Sequence, residues 1–106
     1  MKVFLSADIE GTCGIASWPE ADPASAAAYG PMQRQMTREV AAACRGALSA
    51  GAEEVFVKDA HNSARNIIPG ELPRQTRIHR GWAGDLLSMM NGLDQEHFDA
   101  VFFTGY

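Results

Sequence analysis

Residues Pro31–His61, PMQRQMTREVAAACRGALSAGAEEVFVKDAH, contain a periodic segment, a glycine stop and a short apolar run ending in acid and imidazole. Met32, Met36, Val40, Ala43, Ala47 and Leu48 fall near i, i+4, i+8, i+11, i+15 and i+16, one face of a helix. Pro31 suits a first turn, and Gly51 sits where a left-handed cap belongs. The spacing therefore predicts a helix over 31–50, about 30 Å long. Arg34, Gln35, Arg38 and Arg45 fall on its remaining faces. Glu54–Lys58, EVFVK, then reads as a buried strand.

Upstream, Val3–Ala7 reads as a first strand. Strand, helix and strand make a βαβ unit, so the two strands should be parallel with a right-handed crossover. Thr76–His79 reads as a third strand, Gly84–Met90 as a helix stopped at Asn91-Gly92, and Ala100–Thr104 as a strongly apolar final strand. Thr12–Tyr29 reads as a long loop, with a short helix at Pro23–Tyr29, because Trp18-Pro19 and Asp22-Pro23 oppose regular structure. Long loops in compact domains are usually functional. The expected fold is α/β, a mainly parallel sheet with βαβ crossovers. Residues 1–106 read as one domain without repeats or linkers.

Composition narrows the functional classes. The 106 residues are 46% hydrophobic and 21% charged, with net charge -4, which suits an ordinary soluble globular protein. No Lys/Arg cluster offers to neutralise phosphates, which argues against a nucleic-acid partner. No apolar run is long enough for a membrane span or a signal-peptide core. Cys13 and Cys44 are too few for a disulfide framework and read as small buried or half-buried thiols in a reducing cytoplasm.

Ligands of parallel α/β sheets bind outside the carboxyl ends of the strands. There the first strand delivers Asp8 and Glu10, and the second delivers Asp59 and His61. Carboxylates and an imidazole converging on one sheet edge are costly unless a cation joins them. Carboxylate oxygen with imidazole nitrogen suits zinc and also accepts manganese or iron. Alternation along Asp8-Ile9-Glu10 points both acids to one side and Ile9 to the core. His61 then ligates, while Asp59 either ligates or orients it from behind. The competing reading has a carboxylate capping a turn and a histidine bonded to backbone.

Other candidates carry less. His79 and His97 read as structural or surface histidines, and Trp18 and Trp82 as packing more often than pocket walls. Met32, Met36, Met89 and Met90 read as core. Gly11-Thr12-Cys13-Gly14 lacks the spacing of a phosphate loop. Asp8-Ile9-Glu10-Gly11-Thr12 is similar to the nucleophile motif of haloacid-dehalogenase-type phosphatases, which use magnesium. Against that, Glu10 replaces the expected aspartate, and Asp59-x-His61 has no place in the scheme. A third alternative is an inactive, incomplete domain serving as an assembly module.

Three segments in order, SADIEG (6–11), VKDAHNSARNI (57–67) and GLDQEHFDAVFFTGY (92–106), resemble the zinc-dependent bacterial D-aminopeptidases linked to dipeptide transport. MTREVAAACRGALSAGAEEV (36–55) also looks like the family's long helix entering its second strand. The resemblance implies a two-zinc site in which Asp8 matches the bridging carboxylate, Glu10 and His61 are further ligands, and Asp59 orients. It implies a cytoplasmic aminopeptidase acting on short, D-amino-acid-containing peptides and assembling into homo-oligomeric rings. In the family pattern a further metal-binding histidine, the catalytic histidine and another glutamate ligand fall beyond Tyr106. The expectation is thus the N-terminal part of such an enzyme, with weak metal binding or none and little or no peptidase activity of its own.

Overall fold

The computed structural model describes residues 1–106, organised on a four-stranded parallel sheet of order β3-β2-β1-β4. The strands are β1 (Lys2–Ala7), β2 (Glu54–Asp59), β3 (Thr76–His79) and β4 (Ala100–Thr104). Their registers pair Ala7 with both Asp59 and Thr104, so the carboxyl ends of the three strands lie level. The predicted βαβ unit and all four strands are present.

The helix between β1 and β2, α2 (Ala26–Ser49), starts five residues before the expected Pro31. Ser25 precedes three alanines, the strongest helix formers, so the expected short helix at Pro23–Tyr29 merges with the long one. Pro31 lies inside rather than in the first turn, and it is exposed, where its missing N–H bond is best tolerated. Gly51 closes the helix at φ +101, as its position predicted. Within the expected loop, Trp18–Ala21 form a single turn, α1. Glu20 Oε2 holds it by accepting the Ala16 and Ser17 N–H groups at 2.7 and 2.8 Å.

The helix expected at Gly84–Met90 does not form; only Ser88–Met90 make a 3₁₀ turn. Gly84 and Ser88 have φ of +79 and +49, incompatible with a continuous right-handed helix. Asp85 Oδ1 accepts the Leu87 N–H at 2.8 Å, a local bond that competes with helix.

One sheet face packs Val3, Leu5, Val55 and Val57 against Tyr29, Met36, Val40, Cys44 and Ala47 of the α2 layer. The other face carries Phe4, Phe56 and Phe98, with ring centroids 5.4 to 5.8 Å apart. Of the four methionines expected in the core, only Met36 is fully buried; Met32, Met89 and Met90 are half-buried. Cys44 is buried as expected but Cys13 is exposed, because it sits on the loop after β1. Along the edge strand β4, Val101, Phe102 and Phe103 are 41%, 37% and 58% exposed. No helix is long and apolar enough to cross a membrane.

Candidate metal centre

Pairing continues past both strand ends, and that continuation builds the site. Asp8 N–H donates to Thr104 O at 2.9 Å, and Ala60 N–H donates to Ala7 O at 2.8 Å. Ile9 is fully buried, which turns Asp8 and Glu10 to the same side. His61 arrives beside them: its Nδ1 lies 3.1 Å from Asp8 Oδ1 and 3.3 Å from Glu10 Oε2. One donor atom from each of the three residues lies within 4.8 Å of the others.

The imidazole has its other nitrogen engaged. His61 Nε2 is 2.6 Å from the Ala21 carbonyl oxygen, which can only accept, so Nε2 carries hydrogen. Neutral His61 therefore presents the Nδ1 lone pair to the two acids, as a metal ligand must. Without a cation, protons do the balancing. Burial works to lower the His61 pKa, but the Asp8 bond, the Ala21 carbonyl and the Glu10 charge outweigh it and raise it. Burial pushes Asp8 up, yet bonds from His61, Glu10 and the Ile9 N–H hold it below its ordinary value. Glu10 is raised by burial and by the adjoining Asp8 carboxylate. Two oxygens and one nitrogen crowded around surplus negative charge fit a divalent cation such as zinc, manganese or iron.

Asp59 is fully buried and does not touch the imidazole. Its carboxylate accepts the Asn66 N–H (2.6 Å), Asn66 Nδ2 (2.8 Å) and the Ile67 N–H (2.8 Å). Asn66 Nδ2 also reaches the His61 carbonyl at 2.6 Å, so Asp59 bears on His61 through Asn66 and the backbone. Asn66 completes its set with the Tyr29 hydroxyl (2.7 Å) and Gln33 Nε2 (2.8 Å). Sequence reasoning missed Asn66, because an asparagine in a polar run looks like any turn residue. It also missed Ala21, whose backbone oxygen has no signature in its side chain.

The carboxyl-terminal Gly105-Tyr106 lies against the same loop. A Cβ on Gly11 would stand 2.2 Å from Tyr106 O, and one on Gly105 only 2.0 Å from Asp8 O. Glycine is required at both points of close approach.

Two open clefts meet at Glu10. One, about 270 Å³, is lined by Ile15, Ala16, Ser17, Trp18 and Ala21. The other, about 290 Å³, is lined by Trp18, Ala21, Asp22, His61 and Asn62. Trp18, expected as packing, is instead 78% exposed and forms a wall of both. Trp82 is also exposed rather than core, its ring centroid 4.3 Å from Lys58 Nζ and its Nε1 donating to Asn62 O at 2.7 Å. His79 stands edge-on to Phe56, and His97 is exposed near Asp99, both apart from the site.

The family model of M55 peptidases, described as D-aminopeptidase, matches residues 1–106. Among solved structures, the fold is similar to "Zn-dependent D-aminopeptidase DppA from Bacillus subtilis, a self-compartmentalizing protease", with TM-score 0.89 and 30% identity. That match covers 100% of this chain and 38% of the other, so the present chain spans well under half of that protein's length. No curated protein sequence matches.

Proposed function

The chain belongs to the M55 family of D-aminopeptidases, and from that premise we propose that Asp8, Glu10 and His61 hold zinc for the removal of N-terminal residues from short peptides containing D-amino acids. One observation carries the reading: three donors from two adjacent strand ends converge within 4.8 Å, with the imidazole tautomer already set for ligation. Asp8 offers a second carboxylate oxygen, which suits it to bridge two ions. Zinc bound there would supply Lewis-acid polarisation of the scissile carbonyl and an activated water nucleophile.

The chain's own residues do the positioning. Asp59 and Asn66 fix the backbone that carries His61, and the Ala21 carbonyl fixes the plane of its ring. Ile9, locked in the core, keeps both acids turned outward. A cytoplasmic homo-oligomer accompanies the reading: DppA is described as self-compartmentalizing, and β4 here leaves apolar side chains open to a neighbour.

The test is zinc uptake against a chromophoric chelator, compared between the wild type and His61→Ala, with hydrolysis of D-alanyl-p-nitroanilide followed in the same samples. Uptake by the wild type and its loss in the variant support the assignment. Equal uptake by both removes His61 from the site. Magnesium-dependent turnover of p-nitrophenyl phosphate would favour Asp8 as a phosphatase nucleophile instead.

A further inference from the structure

Trp18 is the largest exposed aromatic next to the metal centre, and nothing in the core needs it there. The turn that carries it is nonetheless tied at both ends. It begins the α1 turn, capped on one side by Glu20 and tied on the other by the Ala21 carbonyl to His61 itself. The backbone of Trp18 is thereby placed relative to His61, while its indole stands open to solvent.

The two clefts it divides differ in chemistry. On one side Ile15, Ala16 and Ala21 offer an apolar lining beside Ser17. On the other, Asp22 stands with His61 and Asn62, and only one Asp22 oxygen is engaged, by the Ala24 N–H at 2.9 Å. At about 270 and 290 Å³ each lies at or just below the lower limit of small-molecule sites, room for part of one residue rather than a long peptide. An indole face serves both sides, by apolar contact on one and by cation–π attraction on the other.

We propose that Trp18 is a specificity-determining wall: the Ile15 cleft takes the side chain of a peptide's N-terminal residue, and the Asp22 cleft takes its α-ammonium. This rests on the aminopeptidase reading above and adds the residues that would contact the peptide's first residue: Trp18 and Ile15 at its side chain, and Asp22 at its ammonium. The lining of both clefts comes from residues 10–62.

Calorimetric titration tests it without recourse to turnover. Zinc-loaded and zinc-free protein are each titrated with D-leucyl-D-alanine, its N-acetyl derivative and D-aspartyl-D-alanine. The free apolar dipeptide should bind about 10-fold tighter than either of the others. Trp18→Ala should lose that affinity by about 10-fold while zinc content stays unchanged, and Trp18→Phe should recover part of it. Asp22→Asn should erase the preference over the acetylated peptide and leave the preference for leucine. The proposal is overturned if the wild type binds the three peptides alike or not at all, or if Trp18→Ala keeps the affinity and both preferences. Zinc content, read on the same samples at saturating zinc, separates the two ideas. No uptake at saturation sinks the metal reading for this chain, whereas uptake with unaltered Trp18→Ala binding sinks only the wall.

Discussion

His61 Nε2 lies 2.6 Å from the carbonyl oxygen of Ala21, forty residues earlier in the chain. The contact ties the loop after β1 to the loop after β2 and decides which imidazole nitrogen is free. In zinc-loaded protein, long-range ¹⁵N NMR should show hydrogen on Nε2 and metal on Nδ1. A protonated Nδ1 with zinc present would show that the ring binds the other way round.

Zinc and protons compete for Nδ1, and the direction of the His61 shift sets the pH window. Burial tends to lower its pKa, but Asp8, Ala21 and Glu10 raise it above 6.5. Zinc affinity should therefore begin to fall at a pH above 6.5 as acid is added. The metal-free protein should behave oppositely. A histidine raised on folding contributes stability that is complete below 6.5 and lost as pH rises through the folded value. Zinc titrations and urea melts across this range test both signs, and Asp8→Ala should flatten each curve.

Asn66→Ala is expected to be the most damaging single change near the site. The side chain is fully buried and joins Tyr29, Asp59 and the His61 carbonyl. Its loss leaves buried polar groups without partners, at a cost of about 2–4 kcal/mol. Urea unfolding should show that loss, together with weaker zinc binding, since the His61 backbone is no longer held. Unchanged zinc affinity would mean that the Ala21 latch suffices.

The edge strand β4 predicts how the isolated chain behaves. Parallel strands are normally covered on both faces, yet Val101 and Phe103 on one face and Phe102 on the other are all exposed. No charge interrupts Ala100–Thr104. Phe103→Lys should raise the concentration at which light scattering detects association, while changing stability by only about 0.5 kcal/mol. Equal association by both proteins would exonerate this edge.

Where the sequence was legible, a local pattern met a global rule. EVFVK and the Met32–Leu48 stripe identified a strand and a helix, the crossover rule made the strands parallel, and parallel ends brought Asp8, Glu10 and His61 together. What stayed hidden depended on contacts that no local pattern encodes. Pro31 pointed to a helix start because the alanines before it have no periodic face to display. Gly84–Met90 passed for a helix because its backbone is decided by Asp85 bonding locally. Asp59 reads from sequence as either a ligand or the residue orienting His61, whereas in the fold it reaches His61 through Asn66, which only the folded loop reveals.

Tyr29 supplies the prediction most independent of metal. Its hydroxyl donates to Asn66 Oδ1 at 2.7 Å, and burial, with the charge of Asp59, pushes its pKa from 10.0 up to about 12. The folded chain keeps the phenol protonated where the unfolded chain has lost the proton. The resulting stability is complete below pH 10 and is lost as pH rises from 10 through 12. Across the full shift it amounts to about 2–3 kcal/mol. Lys58 acts with the opposite sign: burial lowers its pKa, so it favours the fold as pH rises toward 10.5. The comparison must therefore be made against a variant rather than on the wild type alone. Tyr29→Phe should cost about 1 kcal/mol at neutral pH, from the lost bond to Asn66. Its alkaline curve should be flatter than that of the wild type, so that the two curves converge and then cross between pH 10 and 12. Parallel curves would mean that Tyr29 ionises in the folded chain as freely as in the unfolded one, and that its bond to Asn66 does not hold the proton.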